Sequence, residues 1–251
     1  VAFIVFLPIA YNRVKREWHM IKANWPAVIV MAITGVACFN TLVYIGVYYT
    51  TSINASLMNS STPIIRYILS FIFLKERLSK FQLIGTALSL AGVIFILSKG
   101  SLETLLSFSF NKGDLIVLIA VFCWGVYSLL VKQYAGRLPG YSTFLVTIAL
   151  GVMMLLPFTI YELMTTSVEI VWSPSTIGAI LYVGIIASIV AFLSWNNGVV
   201  ALGANKASIY LNFIPLFAAI FAVLFLDEDL LLAQLIGGLA VICGVLLANK
   251  K

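Results

Sequence analysis

The chain has 251 residues, of which 62% are hydrophobic and 10% are charged, and its formal net charge is +6. Soluble domains carry about 25% charged residues, so a water-soluble fold is excluded and the composition predicts an all-α polytopic membrane protein. The three cysteines lie in apolar runs and the single histidine lies in a basic segment. We therefore expect no metal site, no cofactor and no enzymatic activity. The positive charge follows the predicted membrane topology and does not indicate nucleic-acid binding.

The chain opens with an apolar run, residues 1–10, and a basic loop, residues 11–22. Because a transmembrane helix needs about 20 apolar residues, we interpret residues 1–10 as the end of a helix that begins before Val1. Eight longer apolar segments predict membrane spans at residues 26–48, 54–74, 81–98, 114–132, 142–161, 176–197, 206–226 and 230–248. The loops between these segments are short, so we expect no soluble domain.

Basic residues are distributed unevenly between the predicted loops. With residues 11–22 in the cytoplasm, twelve of the 15 Lys and Arg residues fall on the inner side, Lys99 and Lys112 fall on the outer side, and Arg66 lies within a span. Cytoplasmic loops carry an excess of Lys and Arg. The distribution therefore predicts a multi-pass membrane protein with a cytoplasmic C-terminus.

Residues 46–99 occur twice in the chain, with an offset of 152 residues and no gap. The offset places Gly46 on Gly198, Pro63 on Pro215, Glu76 on Glu228, Gly85 on Gly237 and Gly92 on Gly244. An odd number of spans separates the two copies, so they cross the membrane in opposite directions. Such inverted repeats are typical of secondary transporters, whose substrate site lies near the midplane between the halves.

The charges after the third span support this inversion. Lys75 and Arg77 flank Glu76, whereas Asp227 and Asp229 flank the equivalent glutamate in the second copy. The flanking charges thus change sign while the glutamate is retained, as the positive-inside distribution requires of an inverted pair. Both glutamates lie at span ends, where we expect them to cap the following helices.

Both copies carry recognisable motifs: LKERLS at residues 74–79, QLIG at residues 82–85 and a second QLIG at residues 234–237. With Gly46, Pro63, Gly92 and their equivalents, these motifs resemble the EamA domain of the drug/metabolite transporter (DMT) superfamily. The resemblance implies ten helices in two inverted-topology five-helix halves. The first repeat would be residues 1–99, without its first helix. The second would be residues 114–251, after an external loop at residues 100–113.

The resemblance also implies export of amino acids or related small metabolites through a central cavity in the bacterial inner (cytoplasmic) membrane. Our leading hypothesis is a secondary transporter that works by alternating access and carries a small-molecule substrate with a carboxylate. Because the sequence does not determine the direction of flux, an uptake permease for metabolites or sugars is one alternative. A non-transporting membrane receptor or assembly protein is another, and monomer and homodimer both stay open.

Polar residues of the third span recur at spacings of three and four, which places them on one face of a helix. They are Ser56, Asn59, Thr62, Arg66 and Ser70, and we expect Leu57, Ile64, Ile68 and Phe71 on the opposite, lipid-facing side. Arg66 lies about 13 Å from the inner end of this helix. We therefore expect its guanidinium near the midplane, as a partner for a substrate carboxylate. The alternatives are pairing with helix-end carbonyls and snorkelling to the cytoplasm.

The complete set of candidate substrate-binding residues is Arg66, Asn59, Thr62, Asn40, Tyr44, Trp124, Tyr127, Ser128, Tyr210 and Asn212. Candidate hinge and gate residues are Pro63, Pro215, Trp195 and Asn197. The two prolines remove helical hydrogen bonds at equivalent points of the two copies. Simpler roles stay open for all of these residues, namely packing kinks, interfacial anchors and interhelical hydrogen bonds.

Overall fold

The computed structural model describes residues 1–106, 109–165, 172–225 and 231–250, which form nine long helices and no strand. The helices are α1 Ala2–Ala23, α2 Trp25–Tyr49, α3 Asn54–Leu74, α4 Lys80–Leu97, α5 Lys112–Gln133, α6 Gly140–Thr165, α7 Pro174–Leu202, α8 Ala204–Phe225 and α9 Leu232–Asn249. A short helix, Leu102–Leu106, lies between α4 and α5. Helices α2 to α9 are long and apolar enough to cross a membrane. The predicted all-α polytopic fold is therefore confirmed.

The loop predicted at residues 11–22 is wrong, because these residues continue the helix that begins at Ala2. The segment contains neither Gly nor Pro, and its Lys, Arg, Glu and Met residues are good helix formers. Its charge keeps it out of hydrocarbon without ending the helix. Arg13 lies over the ring of Tyr141 at 4.7 Å, and Ser142 donates a hydrogen bond to Glu17. The extension of α1 therefore packs against the start of α6.

The chain divides into two compact units. The first unit contains Val1–Asn40 and Val126–Ala201, and the second contains Thr41–Gly125 and Leu202–Lys251. The core of the first unit consists of Phe6, Ala10, Phe144, Leu145, Ile148 and Ile189. The core of the second consists of Tyr67, Val93, Ile96, Ile209, Ala219, Val241, Val245 and Ala248. The division into repeats at residues 1–99 and 114–251 stays a prediction.

A close backbone contact joins α4 and α9 in the second unit. A Cβ atom added to Gly92 would lie 2.5 Å from the carbonyl oxygen of Gly237, and one added to Gly85 would lie 2.5 Å from that of Gly244. The two helices therefore run antiparallel, and only glycine fits at these positions. The offset of 152 residues places Gly85 on Gly237 and Gly92 on Gly244. Each of the two contacts therefore pairs a glycine of one copy with a glycine of the other. An inverted repeat predicts this pattern.

The starts of α4 and α9 are capped in a similar way. Ser79 Oγ accepts a hydrogen bond from the backbone N–H of Gln82 (3.1 Å), and the N–H of Ser79 donates to Gln82 Oε1 (2.9 Å). In the second copy, the N–H of Leu231 donates to Gln234 Oε1 (3.0 Å). Glutamine therefore supplies the reciprocal half of a capping box in both copies.

The expectation that Glu76 caps α4 is wrong, because Ser79 and Gln82 already occupy that role. Glu76 instead accepts a hydrogen bond from Asn205. Its equivalent, Glu228, lies outside the described residues, as do the flanking Asp227 and Asp229.

Pro63 lies where α3 is interrupted. The first segment of this helix ends before Ser61, and Pro63 occupies the first turn of the next segment. The carbonyl of Asn59, which loses its helical donor at Pro63, accepts a hydrogen bond from Thr62 Oγ1 instead. A side chain thus satisfies the backbone group that the proline leaves open.

Pro215 lies at an equivalent interruption of α8. A 3₁₀ turn, Tyr210–Asn212, separates the first segment of this helix from Phe213–Phe225, and Pro215 is in the first turn of the second segment. Both prolines therefore mark a change of helical geometry. Their role as hinges stays a prediction.

We expect Gly92→Ala to lower the unfolding temperature of the protein in detergent, because overpacking a tight contact costs about 1–3 kcal/mol. The matched control is Gly178→Ala in α7, where nothing lies within 4 Å of an added Cβ atom. This control should leave the unfolding temperature unchanged or raise it, because Ala is the better helix former. Equal unfolding temperatures for the two variants would contradict the glycine contact.

Candidate functional site

The predicted separation of polar and apolar faces is confirmed for residues 62–71 of α3, but not for Leu57, which is half-buried like the polar residues beside it. Thr62, Arg66 and Ser70 are buried, and the exposed fraction of Arg66 is 0%. Ser56 and Asn59 are half-buried, whereas Ile64, Ile68 and Phe71 are exposed. A guanidinium inside a membrane span is retained where it has a functional or pairing role. Arg66 therefore remains the central candidate in the second unit.

A hydrogen-bonded chain connects α3 to α8 near the predicted inner end of the second unit. Ser70 Oγ donates to Asn205 Oδ1 (2.8 Å), and Asn205 Nδ2 donates to Glu76 Oε2 (2.9 Å). Ser70 is completely buried. Asn205 was not among the sequence candidates, because it lies just before the predicted start of its span. Its position next to Ser70 depends on helix packing.

Asn212, a predicted binding residue, lies in the 3₁₀ turn of α8 and is completely buried. Its Nδ2 donates to Ser89 Oγ of α4 (2.9 Å). Its Oδ1 accepts no hydrogen bond from any described residue. An unsatisfied buried acceptor is costly, so Asn212 presents an oxygen that a bound donor would satisfy.

The first unit contains a cavity of about 280 Å³. Its polar walls consist of Tyr127, Tyr134, Thr143, Thr147, Asn196 and Asn197, and Met31, Val131, Phe144 and Val200 supply apolar surface. The cavity lies at the end of α5 and the start of α6, next to the connection that carries Arg137. The cavity therefore lies at the end of these helices that the charge distribution assigns to the cytoplasm.

Two hydrogen bonds between side chains connect α5 and α7 beside this cavity. Tyr127 Oη donates to Asn196 Oδ1 (2.9 Å), and Trp195 Nε1 donates to Ser128 Oγ (3.0 Å). These two bonds join consecutive residues of α5 to consecutive residues of α7. They fix the spacing of the two helices along the cavity wall.

Thr143 differs from Thr147, the other threonine of the cavity. Its side chain is 8% exposed, and its Oγ1 has no hydrogen-bond partner among the described residues. By contrast, Thr147, one turn further along α6, donates to the carbonyl oxygen of Phe144 (2.9 Å). Thr143 Oγ1 is therefore a buried hydroxyl without a partner, on a residue that lines the cavity, which makes it a candidate for solute binding.

The structure brings together only part of the predicted site. Tyr127 and Asn197 line the cavity, and Ser128 and Trp195 bond to each other beside it. Trp124 is buried one turn earlier on α5. Thr143, Thr147 and Tyr134 were not selected from the sequence. Asn196 lies between Trp195 and Asn197, in the run that we predicted as an inner gate.

The other candidates lie elsewhere. Asn40 lines a second cavity of the first unit, of about 500 Å³, and its Nδ2 donates to the carbonyl oxygen of Val36 (3.3 Å). The side chain of Tyr44 is 66% exposed. Tyr210 packs against Phe213, with 6.1 Å between the ring centroids. The binding roles of these residues stay predictions.

A third polar cluster lies at the predicted outer end of the second unit. The carboxylate of Asp114, which is completely buried, accepts hydrogen bonds from Thr50 Oγ1, from Asn54 Nδ2 (3.3 Å) and from the N–H of Asn111 (2.8 Å). These bonds tie α3 and the residue after α2 to the start of α5. Among the described residues, no group of three or more His, Cys, Asp or Glu side chains could hold a metal ion.

Comparison with known proteins finds a match to the EamA-like transporter family over residues 1–98 and 111–250. The chain is 32% identical over 235 residues to the uncharacterized transporter YyaM of Bacillus subtilis. The alignment covers 91% of this chain and 74% of that protein. It is 25% identical over 229 residues to a protein of Streptantibioticus cattleyicolor named a probable terminal-alkyne amino-acid exporter. This alignment covers 90% of this chain and 73% of that protein.

A solved crystal structure has the same fold, with a TM-score of 0.78 over 98% of this chain and 84% of that one. The two sequences are 20% identical. The likeness therefore shows the fold alone.

Proposed function

Because the chain belongs to the EamA-like transporter family, we propose that it exports an amino acid or a related small metabolite across the bacterial cytoplasmic membrane. The protein is a multi-pass membrane transporter and not an enzyme. The proposed mechanism is alternating access, in which the solute site opens to one side of the membrane at a time.

The cavity of the first unit is the observation that carries this proposal. Its volume of about 280 Å³ lies just below the range of ligand pockets, which is about 300–1,000 Å³. Apolar and aromatic side chains supply most of its wall, and the hydroxyl of Thr143 has no hydrogen-bond partner among the described residues. Such a cavity favours a small amphipathic solute.

The position of the cavity relative to the basic residues agrees with export. Lys132 and Arg137 flank the cavity end of α5, and basic residues of this kind mark the cytoplasmic side. Lys132 Nζ donates to the carbonyl oxygen of Val200 (3.5 Å), which also lines the cavity. A solute can therefore enter this cavity from the cytoplasm, as export requires. The distribution of basic residues also supports a cytoplasmic C-terminus.

Arg66 supports a carboxylate on the solute. Its guanidinium is completely buried on α3, within a membrane span. Arg binds carboxylates through two parallel hydrogen bonds. Because Arg66 is buried in this conformation, a solute reaches it only after the protein changes shape, which agrees with alternating access. The printed name of the Streptantibioticus cattleyicolor relative supports the amino-acid class.

Uptake of an uncharged polyhydroxylated solute is the second candidate. The side chains that line the cavity of the first unit carry no formal charge and include two Asn, two Thr and two Tyr residues. Hydroxyl and amide groups beside aromatic rings also suit a sugar. A panel that contains amino acids, their amides and sugars separates the two candidates.

We expect Arg66→Ala to lower saturable transport of labelled amino acids into proteoliposomes by about 10- to 100-fold, since a charge-assisted hydrogen bond contributes about 1.5–3 kcal/mol. Transport of the corresponding amino-acid amides should change little, because they lack the carboxylate. Arg66→Lys should retain part of the activity.

Arg16→Ala is the matched control, because Arg16 is an exposed arginine of α1. This variant should transport like the unmodified protein. If Arg66→Ala lowers the transport of amino acids and of their amides equally, Arg66 has a structural role and the carboxylate site is contradicted. Transport of sugars alone would favour the second candidate.

We expect Thr143→Val to raise the KM for the transported solute about fivefold, because the isosteric change removes one hydrogen bond of about 1 kcal/mol. The unfolding temperature should not fall, since the hydroxyl has no partner in the protein to lose. Thr159→Val, at an exposed position of the same helix, is the control. An unchanged KM in Thr143→Val would show that the solute does not bind the hydroxyl of Thr143.

A further inference from the structure

A large apolar groove lies between α3 and α4 in the second unit. We call it the α3–α4 groove, and its volume is about 1,010 Å³. Ile64, Ile68 and Phe71 of α3 form one wall, and Leu83 and Leu90 of α4 form the other. Most of these side chains are exposed. On a membrane span such side chains face lipid, so the groove opens towards the bilayer.

The floor of the groove has its polar atoms satisfied. Tyr67 Oη and Thr86 Oγ1 lie 2.7 Å apart and hydrogen-bond to each other. Both residues are buried. The floor therefore does not require a polar solute, and a hydrocarbon chain can lie against it.

One end of the groove is basic. Arg77 lines it, and Lys75 and Lys80 are exposed in the same connection between α3 and α4. Glu76 is the one acidic residue of this connection, and it accepts a hydrogen bond from Asn205 of α8. The positive side chains of the connection therefore outnumber its single carboxylate.

Helix α4 adds to the positive character of this end. It begins at Lys80, and Leu83 is the first of its residues in the groove. The N-terminus of a helix carries partial positive charge, which favours an anion nearby. Arg77 thus lines an apolar groove whose second wall begins near the N-terminus of α4.

We propose that the α3–α4 groove binds an anionic phospholipid of the cytoplasmic leaflet, with an acyl chain in the groove and the phosphate at Arg77. A lipid is the amphiphile that matches both ends of the site, because a free phosphate would leave the apolar walls uncovered. Basic pockets between transmembrane helices on the cytoplasmic side bind anionic headgroups in this way. This site is separate from the proposed solute path and does not depend on which solute is carried.

The test uses the full chain in phosphatidylcholine bilayers with a trace of spin-labelled phosphatidylglycerol or spin-labelled phosphatidylcholine. Electron paramagnetic resonance measures the fraction of each lipid that the protein immobilises. We expect phosphatidylglycerol to associate about fivefold more strongly than phosphatidylcholine, the effect of one basic residue at the membrane surface. Arg77→Gln should lower this ratio clearly, and Arg77→Lys should retain most of it.

Two further variants separate the groove from general surface charge. Arg16→Gln removes an exposed basic residue of α1 and should leave the ratio unchanged. Ala87→Trp places a large ring at an exposed position in the groove and should lower the immobilised fraction of both lipids. A ratio near one in the unmodified protein would overturn the proposal. So would a ratio that survives Arg77→Gln, or one that falls equally in Arg16→Gln.

Discussion

The backbone contact between α4 and α9 is the constraint on which the packing of the second unit depends. Lipid is as apolar as the helix surface, so helices in a membrane associate through close van der Waals packing and small residues at the interface. Gly85 and Gly92 let α4 approach α9 until an added Cβ atom would lie 2.5 Å from a carbonyl oxygen of the partner helix. Their equivalents, Gly237 and Gly244, do the same for α9. Gly85 lies against Gly244 and Gly92 lies against Gly237. Each close contact therefore needs a glycine on both helices, and duplication of one segment supplies both.

The sequence predicted the features that depend on local spacing. Apolar length predicted the eight membrane-spanning helices, and spacings of three and four predicted the buried polar face that contains Arg66. The helical extension of α1 was missed, because the charged residues 11–22 were interpreted as a loop. Charge makes a segment unsuited to hydrocarbon, but it does not end a helix. Thr143 could not be identified, because a threonine in a span commonly bonds to its own backbone, as Thr147 does. The open hydroxyl of Thr143 is visible only when α6 is placed among its neighbours.

Buried polar groups in this protein fall into two classes with different consequences. Pairs such as Tyr127 with Asn196, and Ser70 with Asn205, satisfy each other and hold helices together. Thr143 Oγ1 and Asn212 Oδ1 have no hydrogen-bond partner among the described residues. An unsatisfied buried group costs stability, so its retention points to a partner that arrives from outside. For Thr143, which lines the cavity of the first unit, we propose that this partner is the solute.

The most direct test of the account measures access of water to the polar face of α3. Thr62→Cys would be introduced after Cys38, Cys123 and Cys243 are replaced by Ala, with Ile68→Cys as the lipid-facing control. The account predicts that a membrane-impermeant thiol reagent modifies Thr62→Cys in proteoliposomes, at a rate that a transported amino acid changes, and leaves Ile68→Cys unmodified. Failure to modify Thr62→Cys from either side, with or without amino acid, would contradict alternating access to the face that carries Arg66.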